Sequence, residues 1–188
     1  MKFSNAGKMV LQNWAVVQDI HEIEIEVANY LENYIRTFDK ELKKCKWWDS
    51  KWKFVSYDAG QSYITRPEWK RGESDAIWIG IWNFNADALF GTKPPASFYV
   101  YVEIESPQLV SALQKHFEGE SDIIGTITTK TLKKGGYIIQ HNLRKCLPEE
   151  VERFEEVVGT SILAFFEYYA KREKIFSNIL NNIEKKKS

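Results

Sequence analysis

The chain has 188 residues, of which 44% are hydrophobic, 14% aromatic and 28% charged, a composition typical of a globular protein. Its 26 basic residues balance 26 acidic ones, and this zero net charge argues against a dedicated duplex-DNA binder, whose affinity depends on neutralising phosphates. No apolar run approaches the ~18 residues of a membrane span, so we expect no membrane partner. The polar N-terminus and the widely separated Cys45 and Cys146 indicate a cytoplasmic protein with reduced thiols.

The first long element is predicted to be an amphipathic helix. Apolar residues recur at gaps of three and four over residues 16–45, which places them on one helical stripe: Val16, Ile20, Ile23, Val27, Tyr30, Tyr34, Phe38, Leu42 and Cys45. Asn13 or Asp19 would cap this helix or break it into two.

Strand patterns fill the middle of the chain. Residues 52–54 and 62–65 flank turn-forming residues at 58–61, which predicts a hairpin. Residues 76–84 are nearly all apolar, as in a strand that is covered on both faces, and residues 85–96 read as a connection. Residues 97–105 alternate: Phe98, Val100, Val102 and Ile104 take one face, while Tyr99, Tyr101, Glu103 and Glu105 take the other.

The remaining elements complete an α+β pattern. A short helix is predicted from Pro107 to about residue 117, two strands at 123–131 and 136–143, and a final helix from Pro148 to about residue 184. We therefore predict one α+β domain with a mainly antiparallel sheet of about five to six strands, flanked by long N- and C-terminal helices and one short helix. Residues 10–46 are helical, 47–145 strand-rich and 148–184 helical.

Aromatic residues concentrate between residues 47 and 105, which hold six of the seven tryptophans. We predict a contact surface on the sheet face of Tyr99 and Tyr101, edged by Trp47, Trp48 and Trp52. Trp78 and Trp82 share a strand face with Gly80 between them. The resulting gap would admit a flat ligand or a neighbouring backbone, and core packing is the alternative.

The leading functional hypothesis is a non-catalytic binding protein without a cofactor, because aromatic residues are in excess and no catalytic motif accompanies them. Its partner would be another protein, a second copy of the chain or a small flat molecule. The long terminal helices favour a homodimer, since such helices often bury a second face between subunits. The three histidines show no metal-binding spacing, and no nucleophile elbow or phosphate-binding loop occurs.

Acidic residues support an alternative hypothesis. Glu103 and Glu105 would lie about 6.5–7 Å apart on one strand face and could hold a hard cation together with Asp75, although a solvent-exposed strand face has the same pattern. The order helix, strands, helix, strand is similar in outline to that of the PD-(D/E)xK nucleases, with Asp75, Glu103 and either Glu24 or Glu26 at the acidic positions. Glu105 stands where that family has lysine, and no Pro-Asp pair precedes it. The resemblance implies Mg²⁺-dependent cleavage of nucleic acid.

Residues 43–53 support a third hypothesis. Lysines alternate there with Trp47, Trp48 and Trp52, a combination that can hold single-stranded nucleic acid because cations follow the phosphates and indoles stack on bases. The alternative is a lysine-rich helix end followed by a strand whose tryptophans enter the core. We favour the alternative, since each half of the segment has its own structural reason.

Overall fold

A computed structural model describes residues 4–57, 60–92, 94–103, 107–118, 123–124, 127–128, 130–134 and 136–185, with side chains undescribed at residue 5 and over 123–134. Helix α1 (Asn5–Gln12) begins at Ser4, whose hydroxyl accepts a hydrogen bond from the Gly7 amide. Helix α2 (Trp14–Arg36) follows directly, because the Asn13 side chain bonds the Met9 carbonyl and ends α1. The short helix α3 (Asp39–Leu42) comes next. The predicted break at Asn13 is confirmed.

The predicted helix over residues 16–45 is wrong in its end and in its burial. Helix α2 ends at Arg36, where the Thr37 hydroxyl bonds the Asn33 carbonyl and the chain turns to bury Phe38 and Leu42. Burial on α2 begins only at Leu31, a residue outside the predicted stripe, so the first four turns of α2 leave most of their apolar side chains exposed. The spacing of the apolar residues predicted the helix. It did not predict which turns of the helix pack against the rest of the protein.

Six strands form one sheet in the order β1 (Lys53–Tyr57), β2 (Gln61–Thr65), β5 (Ile77–Trp82), β6 (Ser97–Val102), β10 (Tyr137–Asn142) and β9 (Lys130–Lys134). All five neighbouring pairs are antiparallel. Two-stranded ribbons are formed by β3 (Lys70–Arg71) with β4 (Ser74–Asp75) and by β7 (Ile123–Ile124) with β8 (Ile127–Thr128). The predicted α+β fold with a mainly antiparallel sheet is confirmed.

The connections carry the remaining helices. Helix α4 (Ala86–Leu89) lies within residues 85–96, which were predicted as a connection only. Helix α5 (Pro107–His116) matches its prediction, and Ser106, which precedes it and is of a residue type that caps helices, lies outside the described residues. Three-residue or four-residue 3₁₀ turns occupy Pro67–Trp69, Leu143–Cys146 and Val151–Arg153.

The C-terminal helix is two helices, α6 (Phe154–Ala170) and α7 (Glu173–Lys185), rather than the predicted single one. The chain breaks at residues 171–172, where the Arg172 guanidinium folds back over the Tyr168 ring and donates to the Tyr168 carbonyl. The break lets α6 contact β5 while α7 contacts α5. Val151, which falls within the predicted final helix, lies instead in a 3₁₀ turn and is 69% exposed.

The sheet has two distinct faces, as the alternation in β6 predicted. On one face Phe98 pairs with Ile81 and stacks on Phe165 of α6, with ring centroids 4.7 Å apart. This face and the helices over it form the hydrophobic core. On the other face Tyr101 pairs with Trp78. The candidate aromatic surface therefore lies on the side of the sheet that faces away from α6.

Candidate functional site

Five aromatic side chains cross the sheet on the face away from α6. They come from five adjacent strands, and we call them the aromatic row: Tyr57, Tyr63, Trp78, Tyr101 and Tyr137. Successive ring centroids lie 6.0, 5.4, 4.9 and 5.1 Å apart. Rings that are direct or diagonal neighbours across strands pack in this way because antiparallel pairing brings their Cβ atoms close together.

The aromatic row is separate from the hydrophobic core. Tyr63 is buried, yet it does not belong to the contiguous cluster of buried residues on the α6 side. Trp78, Tyr101 and Tyr137 are half-buried, and Tyr57 is 55% exposed. The row is thus a second apolar layer that is partly exposed to solvent, most of all at Tyr57.

Tyr99 fills the gap that Gly80 leaves on this face. Tyr99 pairs with Gly80, and its hydroxyl accepts a hydrogen bond of 3.2 Å from the Gln61 side chain. A Cβ on residue 80 would stand 2.8 Å from that hydroxyl and 2.7 Å from the Tyr63 Cβ. A buried tyrosine therefore occupies the space above Gly80, between Trp78 and Trp82.

Three phenols of this face have a raised pKa, which favours their neutral form. Burial is the main cause that raises the pKa of Tyr63, Tyr99 and Tyr101 above the usual value for tyrosine. The neighbouring Tyr57 and Asp75 act on Tyr63 in the same direction, as Tyr137 and Glu103 do on Tyr101. Neutral phenols can donate hydrogen bonds as well as accept them, which suits a contact surface.

Two carboxylates lie beside the row, Asp75 near Tyr63 and Glu103 near Tyr101. The Tyr63 hydroxyl donates to Asp75 Oδ2 over 3.4 Å, and the Glu103 amide donates to the Ala76 carbonyl over 3.0 Å, so residues 75 and 103 belong to adjoining strand ends. Asp75 Oδ1 and the indole nitrogen of Trp78 are both buried, and neither has a hydrogen-bond partner among the described residues.

The metal-site residues that the sequence suggested are only partly brought together. Glu105 lies outside the described residues, and Glu24 and Glu26 are exposed on α2. The described part of the chain holds no group of three or more His, Cys, Asp and Glu side chains arranged to bind a metal ion. Asp75 and Glu103 remain as a candidate pair.

Trp47, Trp48 and Trp52 do not edge the aromatic row. Together with Trp69 they form a tryptophan cluster whose contacting centroids lie 5.5–6.4 Å apart. Trp52 and Trp69 belong to the core, and Trp47 and Trp48 pack against it. The apolar indole surface enters the core here, as the structural alternative for this segment predicted.

The lysines beside this cluster take part in ion pairs: Lys43 with Asp39, Lys44 with Glu41 and Lys51 with Glu68, at 2.6, 2.7 and 2.8 Å. A cavity of about 440 Å³ lies alongside, lined in part by Lys43, Trp48 and Lys53. Binding of single-stranded nucleic acid to this segment stays a prediction.

A second surface, which the sequence analysis missed, surrounds the exposed part of α2. Ile20 and Ile23 are 53% and 58% exposed, and Phe90 beside them is 53% exposed. Further along, the Tyr30 hydroxyl donates to Glu155 Oε1 over 2.6 Å and fastens α2 to α6. Partial burial and the Glu155 carboxylate raise the pKa of Tyr30 to about 12. The continuous stripe was visible in the sequence, but its exposure was not.

No helix among the described residues has both the length and the apolar character needed to cross a membrane. Comparisons of this chain with protein-family models, curated proteins and solved structures find no match in any of the three.

Proposed function

We propose that the protein is a non-catalytic binding protein whose contact surface is the aromatic row. The observation that carries the proposal is the position of the row: five strands each contribute one ring to a layer that lies outside the core and is partly exposed to solvent. Protein contact surfaces are enriched in Tyr and Trp, because these side chains bury a large area while ordering few rotatable bonds.

A protein partner fits this surface better than a small flat molecule. The row is a broad strip across five strands, and Tyr99 fills the gap beside Gly80 in which a flat ligand would have been enclosed. Small ligands bind mainly in concave sites that bury most of their surface, whereas proteins bind to broad faces with half-exposed aromatic anchors.

The test compares substitutions on and off the row. Tyr101→Ala removes a half-buried row side chain and Tyr57→Ala a 55% exposed one, and Trp14→Ala removes a 52% exposed indole from α2 as the matched control. The three variants and the parent chain are immobilised at equal density. Proteins captured by the parent are identified, and the binding of each purified partner is then measured by calorimetry.

The proposal expects a purified partner whose dissociation constant rises about tenfold or more with either tyrosine variant and by less than about twofold with Trp14→Ala. Circular dichroism and thermal unfolding establish that each variant is folded. Equal binding by all four folded chains refutes the proposal. A folded Tyr57→Ala keeps the experiment informative even where Tyr101→Ala fails to fold, because Tyr57 ends the row at its exposed edge.

A metal-dependent nuclease is the second candidate, supported by one observation. Asp75 and Glu103 lie at adjoining strand ends, and Asp75 Oδ1 is buried without a hydrogen-bond partner among the described residues. A hard divalent cation such as Mg²⁺ prefers carboxylate oxygens of this kind. In this case Asp75 and Glu103 would hold the ion, and Glu105 would be the third acid.

A further inference from the structure

A groove runs between the exposed part of α2 and residues 83–91. One cavity of about 820 Å³ lies between Ile23 on α2 and Asn85 and Phe90 opposite. A second cavity of about 260 Å³ continues towards Phe154. Val27 and Phe90 line both cavities, so the two form one continuous depression, which we call the α2 groove.

The floor of the α2 groove is apolar and exposed. Its apolar side chains on α2 belong to the same stripe whose later residues, Leu31 and Ile35, are in the core. The most exposed of the floor residues are Ile20, Ile23, Tyr30, Phe90 and Val151, at 53, 58, 43, 53 and 69%. Contiguous apolar surface of this kind on a soluble chain marks a site of contact with another molecule.

The dimensions of the groove fit a helix. Ile20 and Leu31 are eleven residues apart on α2, which corresponds to about 16 Å, or three turns. An amphipathic helix laid along α2 would insert residues at gaps of three and four between Ile23 and Phe90, in the manner of other helix-in-groove complexes.

The charges at the rim identify the chemistry of that helix. Of the described residues that line the groove, Glu24 on α2 and Asp87 on the opposite wall are the charged ones, and both are acidic. Residues 14–30 contain four carboxylates and no Lys or Arg. We propose that the α2 groove binds an amphipathic helix of another protein, with lysine or arginine flanking its apolar stripe.

A second copy of this chain is the weaker occupant. Two α2 helices laid side by side along the groove would bring together two acidic segments, residues 14–30 of each copy, that contain no Lys or Arg to pair with the carboxylates. Like charges flanking a helix–helix seam oppose association. A basic helix instead pairs with carboxylates on both walls and covers the apolar floor.

This second surface is independent of the aromatic row. The groove lies against α2 and the segment that includes α4, whereas the row lies across the sheet strands, and no residue belongs to both. A protein with both surfaces would hold two partners at once. Loss of binding at one surface leaves the other intact, so the two proposals can fail separately.

The probe is a synthetic peptide of leucine and lysine alone, with leucine at helical gaps of three and four. Its control replaces every lysine with glutamate and keeps the leucine pattern. Binding of each labelled peptide to the full chain is followed by fluorescence anisotropy at neutral pH. The lysine peptide is expected to bind at least about tenfold more tightly than the glutamate peptide, and added salt should weaken it.

Two matched pairs of variants locate the binding. Ile23→Ser is compared with Ile25→Ser, because Ile25 is 47% exposed on α2 but does not line the groove. Glu24→Lys is compared with Glu22→Lys, which makes the same charge change on the opposite face of the helix. The first member of each pair should weaken binding of the lysine peptide about tenfold, and the second by less than about twofold.

Three results would overturn the proposal. Equal effects within the two pairs would show that the peptide responds to the general charge of α2. Equal affinity for both peptides would remove the basic helix as the occupant. A dimer mass in light scattering that Ile23→Ser converts to a monomer would assign the groove to a second copy of the chain.

Discussion

The hydroxyl of Tyr99 stands 2.8 Å from the point where a Cβ on Gly80 would lie, on the strand next to its own. The same Cβ would approach the Ser62 carbonyl oxygen to 2.5 Å, so the space above Gly80 is closed by both backbone and side chain. Because glycine has no side chain, the Tyr99 ring can pack against the sheet at this position, beneath the aromatic row.

Gly80→Ala should therefore destabilise the fold. We expect a loss of about 1–3 kcal/mol in the free energy of unfolding, since added volume in a filled site forces neighbours to move. Urea unfolding measures it. In the double variant Gly80→Ala/Tyr99→Phe the hydroxyl contact is gone, so the combined loss should be smaller than the sum of the two single losses. Full additivity would contradict the contact.

Arg66 ties three parts of the chain together. Its side chain is 6% exposed, and its nitrogens lie 3.3–3.4 Å from carboxylate oxygens of Asp49, Glu68 and Glu173. Its guanidinium also lies 4.7 Å above the Trp52 ring. We expect Arg66→Met to cost about 1–3 kcal/mol, because it leaves acceptors unpaired beside a buried site.

Arg66→Lys should recover little of that loss. The planar guanidinium pairs with three carboxylates while it stacks on an indole face, and the compact lysine ammonium cannot do both. The control is Arg153→Met, which removes the exposed pair of Arg153 with Glu156 and should change stability by less than about 0.5 kcal/mol. Chemical unfolding of the three variants measures these changes in stability. Equal losses at positions 66 and 153 would contradict the structural role of Arg66.

Alkaline pH should unfold the chain. The folded state raises the pKa of Tyr30 to about 12, and burial raises the pKa of Tyr34, Tyr63 and Tyr99 in the same direction. Unfolded tyrosine titrates near pH ~10, so below that value both states hold the proton and the stabilisation is complete. As the pH rises further, only the unfolded chain releases protons, and stability falls.

Denaturant unfolding at a series of pH values from neutral to about 11 measures this loss. The near-ultraviolet absorbance of tyrosinate should rise together with the loss of the far-ultraviolet circular dichroism of the fold. Ionisation of these four tyrosines near pH ~10 in a chain that is still folded would contradict their burial.

The nuclease hypothesis makes a separate prediction about metal. If Asp75 and Glu103 hold a cation, titration with MgCl₂ or MnCl₂ releases or absorbs heat that Glu103→Ala abolishes. Glu22→Ala, an exposed acid on α2, is the matched control and should leave the heat unchanged. Absence of heat with both ions in the parent chain would refute this hypothesis.

The sequence predicted the sheet better than the helices around it. In β6 strict alternation separates Phe98 from Tyr99, and the register of the sheet preserves that separation. Such local patterns reflect which face of a strand is apolar. They carry no information on what lies opposite, and for this reason Tyr99 filling the space over Gly80 could not be anticipated.

Helix burial escaped prediction for a related reason. Apolar residues recur on α2 at gaps of three and four both around Ile23, which is exposed, and around Ile35, which is buried. Only the position of the sheet and of α6 decides which turns are covered. Likewise, the lysine-rich spacing around Trp52 suited both a nucleic-acid surface and a core segment, and long-range packing on Trp69 places the indole in the core.

The seven tryptophans can serve as intrinsic fluorescent probes of different parts of the molecule. Trp14 is 52% exposed on α2, Trp78 and Trp82 lie on the sheet face, and the other four form the tryptophan cluster, in which Trp52 and Trp69 are buried. Indole emission shifts to the red with hydration, so the exposed Trp14 emits at a longer wavelength than the buried Trp52 and Trp69. Replacing the tryptophans of one group by phenylalanine would isolate the signal of one region. Partner binding at either surface and unfolding of the core can then be followed separately in one sample.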